Sequence, residues 1–88
     1  VRKPSYTKRF GKDLALAKKR GKDIAKLKKA IELIVSEKLL PPRLRDHALT
    51  GNYSGRRECH IEPGWLLVYK LDSGSVIFER TGTHSDLF

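Results

Sequence analysis

Eighty-eight residues and 10.0 kDa make one small domain, residues 1–88, with no room for a second core. Hydrophobic residues are 39% and charged residues 33%, which is globular composition, and 19 Lys and Arg against 10 Asp and Glu give +9, a balance suited to an anionic partner. One cysteine excludes an internal disulfide, the histidines lack zinc-finger spacing, and no apolar run nears the roughly 20 residues of a bilayer span, so the default is a cytoplasmic protein.

In chain order, a short strand near residues 2–6 comes first. Thr7 then caps a helix whose Phe10, Leu14 and Ala17 share one face. The basic cluster Lys18-Lys19-Arg20 and Gly21 end it, since cations and a left-handed glycine suit a helix C-terminus. Asp23 caps a second helix with the stripe Ile24, Leu27, Ile31 and Ile34, and Pro41-Pro42 forbids its continuation. These two helices form an antiparallel hairpin. A second short strand is expected near 45–49.

The rest reads as a three-stranded antiparallel meander. Residues 56–62 alternate with period two, Trp65–Leu71 is almost continuously apolar, and Ser75–Thr81 follows the turn Asp72-Ser73-Gly74. Helices first and strands later predict an α+β domain, the helical hairpin packed on one face of an antiparallel sheet. The other face is left for a ligand. Charge follows the same division: residues 1–45 carry 15 Lys and Arg against four Asp and Glu, whereas residues 46–88 carry four against six.

All three histidines, His47, His60 and His84, lie in the strand half, each in a separate segment. A lone histidine in a small domain is usually solvated or satisfied by the backbone. Three beside arginines suit RNA cleavage by internal transesterification, in which the 2′-OH attacks the neighbouring phosphorus. That reaction needs a base, an acid and cations for the pentacoordinate phosphate, and it needs neither a protein nucleophile nor a metal. Arg56 and Arg80 are the phosphate candidates, against the plainer role of surface arginines. Glu58 and Glu62 share the face of His60 by parity and can orient it or take a proton. Trp65 and Phe88 are the candidates for stacking on a base, although Trp65 opens the most apolar strand and core packing suits it well. Cys59 has the opposite parity and reads as a small buried hydrophobe. No cofactor and no metal is expected.

Four segments in order carry a resemblance over nearly the whole chain: Asp23-Ile24-Ala25-Lys26-Leu27, Asp46-His47-Ala48-Leu49-Thr50-Gly51, Glu58-Cys59-His60-Ile61-Glu62-Pro63, and Phe78-Glu79-Arg80-Thr81-Gly82-Thr83-His84-Ser85-Asp86-Leu87-Phe88. The chain resembles the YafQ-like toxins of the RelE/ParE superfamily, the toxin halves of bacterial type II toxin–antitoxin pairs. The resemblance implies a microbial-RNase-like α+β fold, ribosome-dependent cleavage of mRNA, and neutralisation by an acidic antitoxin of the DinJ/RelB kind. It implies that His47, His60 and His84 are the active-site histidines, Phe88 the C-terminal aromatic and Glu58 the acidic residue. Gly64 departs from it, because relatives carry an Asp between the proline and the tryptophan, and full activity is in question without that group. Lys18, Lys19, Arg20, Lys22, Lys26, Lys28 and Lys29 are expected to face the ribosome, since rRNA is a dense polyanion. Two other classes compete: a ParE-like toxin that binds DNA gyrase without chemistry, and a plain basic RNA-binding protein. Neither requires the histidines to surround one patch of the sheet.

Overall fold

The computed structural model describes residues 1–88. Its elements in chain order are β1 (Lys3–Tyr6), α1 (Lys8–Lys19), α2 (Ile24–Val35), β2 (His47–Ala48), β3 (Arg57–Glu62), β4 (Trp65–Asp72), β5 (Ser75–Gly82) and α3 (His84–Leu87). The sheet order is β1-β5-β4-β3-β2. The meander and β2 pair antiparallel, but β1 runs parallel to β5, from Lys3 opposite Ser75 to Tyr6 opposite Phe78. The sheet is therefore mixed rather than antiparallel throughout. No helix is long and apolar enough to cross a membrane.

Local chemistry sets the helix ends. Thr7 accepts from the Phe10 amide at 3.0 Å, and its own hydroxyl donates to the Glu79 carbonyl at 2.8 Å, so one side chain caps α1 and ties it to β5. Gly21, at φ +77°, closes α1 while the Lys22 amide bonds the Ala17 carbonyl at 3.0 Å. Asp23 caps α2 by accepting from the Ala25 amide. This helix stops before Pro41-Pro42, because Glu37 takes the left-handed conformation at φ +60° and the Lys38 amide bonds the Leu33 carbonyl.

Between the helices and the sheet lies the main core. Phe10, Ala17, Leu27, Ala30 and Ile34 pack on Cys59, Ile61, Trp65, Leu67, Tyr69, Val76 and Phe78. Fully burying a side chain such as Phe78 contributes about 2–3 kcal/mol, which makes β4 and β5 the stable centre of the domain. The opposite face is only partly open. There Leu87 of α3 is buried on Leu66 and Val68, with Leu49 beside them. A four-residue helix has no stability by itself; burial of Leu87, about 2 kcal/mol, and a complete capping box between Thr83 and Asp86 hold α3 on the sheet. The strip left uncovered runs along β2 and β3.

Candidate active site

Register delivers the histidines to that strip. β2 sets His47 directly opposite Glu58, and His60 lies two residues further along β3 on the same face. The capped turn of α3 brings His84 and Phe88 in from the C-terminal side. Ring centroids are 6.1 Å apart for His47 and His60, 6.4 Å for His60 and His84, and 5.9 Å for His84 and Phe88. Four rings from three segments thus form one row. Phe88 stays 54% exposed, and Tyr53 meets its ring edge-on at 4.9 Å while donating a hydrogen bond to the Leu87 carbonyl at 3.1 Å.

Glu58 lies beneath the row with only 4% of its surface exposed. Its Oε2 is 3.1 Å from Nε2 of His47 and 3.8 Å from Nε2 of His60. Its Oε1 is the one buried side-chain oxygen or nitrogen without a hydrogen-bond partner, and such an atom in a native fold calls for a reason. His47 Nδ1 lies 2.6 Å from the Arg45 carbonyl, which can only accept, so Nδ1 carries a proton. Its Nε2 faces the Glu58 carboxylate. His47 is thus engaged at both nitrogens. His60 makes no hydrogen bond through either ring nitrogen and has the freedom a base requires. His47, Glu58 and His60 also present one donor atom each within 4.8 Å of one another, a set able to hold a metal ion.

The arginines are held in place. Arg80 donates through Nε and one Nη to Asp13 at 2.7 and 3.2 Å, and that Nη also reaches the Asp86 carbonyl at 3.4 Å. Its other Nη has no protein partner. Asp13 also accepts from the Thr81 amide, so α1 covers the part of the β5 edge that β1 does not reach. Arg56 pairs with Glu79, the extra residue where the β4–β5 register shifts between Val68 and Tyr69.

Arg20 latches α3 to the end of α1 through Asp86, at 2.7 and 3.3 Å. This bond, with the Thr83 amide, holds the Asp86 carboxyl well below the usual carboxylate range. A depressed folded-state value means the latch contributes fully above the ordinary carboxylate pKa near 4 and is lost as the pH falls below it. Asp86→Asn is therefore expected to speed amide hydrogen exchange in residues 83–88 at neutral pH. Wild-type protein loses the same protection, relative to the intrinsic exchange rate, only in acid. Equal exchange in both proteins at pH 7 contradicts the latch.

Three sequence expectations are corrected. Parity predicts Glu62 beside His60, but the β3–β4 register shifts between His60 and Glu62, placing Glu62 opposite Trp65. Its carboxylate meets Lys26 at 2.9 Å and Lys22 at 4.0 Å on the helix side of the sheet. Trp65 is 1% exposed and donates its indole N–H to Thr81 at 2.9 Å, so it is core and cannot stack on a base. Arg20 is not a free surface cation like Lys18, Lys19, Lys28 and Lys29, because Asp86 occupies it. Cys59 is buried as expected, and burial pushes its thiol up to about 12, which rules it out as a nucleophile. Tyr53, Asp13 and the Asp46 cluster were not visible in the sequence as site residues. Asp46 accepts from Tyr69 and from Arg57 at 3.1 and 3.3 Å, which fixes the chain entering His47.

The family model described as "Bacterial toxin of type II toxin-antitoxin system, YafQ" matches residues 2–88. The mRNA interferase toxin YafQ of Escherichia coli (strain K12) is 46% identical over 84 residues, covering 94% of this chain and 91% of the relative. The chain superposes on the crystal structure of the E. coli DinJ-YafQ toxin-antitoxin complex with a TM-score of 0.92 at 44% identity, covering 99% of this chain and 97% of that one. A metal-bound toxin from Helicobacter pylori gives a TM-score of 0.94 at 36% identity over 100% of both chains.

Proposed function

The chain belongs to the YafQ family of type II toxin–antitoxin toxins, and on that premise we propose that it is an mRNA interferase, a ribosome-dependent endoribonuclease that inhibits translation in the cytoplasm. The observation that carries this reading is the single row of His47, His60, His84 and Phe88. A gyrase-binding toxin or a plain RNA-binding protein has no use for such a row.

In the proposed reaction the 2′-oxygen of one nucleotide forms a bond to the adjacent phosphorus, and the bond from phosphorus to the 5′-oxygen breaks. His60 takes the 2′-OH proton, with Glu58 steadying the imidazolium that forms. His84 gives a proton to the departing 5′-oxygen. The free Nη of Arg80 meets the charge that builds on the phosphoryl oxygens, while His47, bonded at both nitrogens, fixes the Glu58 carboxylate beneath His60. Arg56 supports the same phosphate from the rim, and exposed Phe88 orients the adjoining base. Every proton has a donor and an acceptor among these side chains, so the step is metal-independent. Gly64, with no atom within 4 Å of where a Cβ would stand, supplies no carboxylate, and its activity is attenuated relative to relatives with Asp there.

The cognate partner is an acidic antitoxin of the DinJ/RelB kind, matched to a surface of +9. Lys18, Lys19 and Lys28, exposed on α1 and α2 and unpaired, face rRNA. Lys18→Glu with Lys19→Glu, sparing Arg20 and its latch, is expected to weaken ribosome co-sedimentation several-fold at moderate salt without changing the melting temperature. Unchanged co-sedimentation contradicts that assignment. Primer extension on mRNA from cells expressing the chain tests the function itself: cuts inside reading frames that vanish when initiation is blocked are expected. Their absence, with translation still running normally, refutes it.

A further inference from the structure

Two open depressions lie beyond His60. The larger, of about 770 Å³, is bordered by His60, Gly64, Arg45, Arg43 and Lys26. The smaller carries on along α2 between Arg43, Lys26 and Lys29. They share Lys26, Arg43, Leu44 and Ile61, so they are one furrow that starts at the candidate catalytic row and passes beneath α2. Glu62 is the only acidic residue on its walls, and Lys26 and Lys22 already neutralise it.

Its arginines are uncommitted, whereas Lys26 is paired with Glu62. The guanidinium groups of Arg43 and Arg45 make no hydrogen bond or ion pair, whereas Arg20, Arg56, Arg57 and Arg80 are all paired. Arg45 sits at φ +47°, a conformation that costs about 1 kcal/mol or more for a residue with a side chain. That backbone turns the Arg45 carbonyl onto His47 and leaves the side chain at the mouth of the furrow, next to His60. Gly64 needs neither its backbone freedom nor its lack of a side chain for packing. A glycine at that spot keeps the floor open.

We propose that this furrow is the path of the RNA strand leaving the scissile phosphate, with Arg45 and Arg43 each neutralising one phosphate and Lys26 and Lys29 continuing the track. This rests on the proposed RNA-cleaving function and names where the flanking nucleotides go. A protein occupant is the weaker fit, because the furrow opens from the histidine row and four cations, Lys26, Lys29, Arg43 and Arg45, line it against the single carboxylate of Glu62.

The test compares Arg43→Gln/Arg45→Gln with Lys3→Gln/Lys70→Gln, which loses the same charge at exposed positions outside the furrow. Fluorescence anisotropy with a labelled dodecauridylate reads binding. Cleavage of mRNA on programmed ribosomes reads KM and kcat. The furrow variant is expected to bind the oligonucleotide about tenfold more weakly than the control, with a log–log salt slope smaller by about 1.4, about 0.7 for each single-strand phosphate lost. KM rises in parallel while kcat moves little. Oligonucleotide affinity equal to that of the control overturns the proposal. So does a loss confined to binding of an acidic antitoxin, which makes the furrow a protein site. If the wild type binds RNA through these arginines yet never cuts ribosomal mRNA, the furrow stands and the RNA-cleaving function fails.

Discussion

His84→Ala is expected to lower the single-turnover rate of mRNA cleavage by about 10²–10⁴-fold, the worth of a positioned proton donor. The histidine is exposed at the start of α3, with its ring 6.4 Å from His60 and 5.9 Å from Phe88. It contributes little to the fold, because Leu87, Thr83 and Asp86 are what hold α3 down. The loss therefore falls on chemistry, and the melting temperature stays within a degree or two. Removing Phe88 is expected to cost less, since it donates and accepts no proton and its contacts are the rings of Tyr53 and His84 and one backbone bond. Because Gly64 lowers the starting activity in this account, the same comparison belongs in the Gly64→Asp background. An unchanged rate there on losing His84 moves the acid role to His47 or His60.

Glu58→Met is expected to separate activity from stability. The carboxylate is buried, one of its oxygens has no partner, and a charged group in that position is costly to desolvate. Methionine has a similar length and no polar atom to satisfy. Replacing a buried ionic group with an apolar one of like volume is often neutral or stabilising by about 1–4 kcal/mol. Here the partner left behind is not stranded, because the His47 side chain is 48% exposed and keeps its bond to the Arg45 carbonyl. The protein is therefore expected to melt at the same temperature or higher while cleavage falls by about 10²-fold or more, as His60 loses the group that steadies its protonated form. A variant that melts lower and cleaves normally contradicts both halves.

Local chemistry was legible and long-range pairing was not. Thr7, Gly21 and Asp23 end or start helices through atoms within a few residues, so the sequence alone places them. The period-two pattern likewise finds β3, and with it the common face of Glu58 and His60. That rule fails two residues later, because the register shift that turns Glu62 to the helix side is a property of the β3–β4 pair rather than of either strand. β1 reads as a strand, but its parallel pairing depends on where α1 and α2 return the chain. Asp13 and Arg80 are 67 residues apart, Arg20 and Asp86 66, and Tyr53 and Leu87 34. No spacing rule reaches such distances. The histidines themselves were visible by type, and only the fold makes them a row.

The product ends report directly on whether the row performs transesterification on ribosome-bound mRNA. Ribosomes are programmed with an mRNA whose scissile nucleotide carries either a 2′-OH or a 2′-deoxy sugar, with a chelator selective for zinc and copper that spares magnesium. Cleavage of the 2′-OH message alone is expected, unaffected by the chelator, leaving a 2′,3′-cyclic phosphate or the 3′-phosphate it hydrolyses to, and a 5′-hydroxyl. Cleavage of the 2′-deoxy message, or 5′-phosphate and 3′-hydroxyl ends, would contradict it.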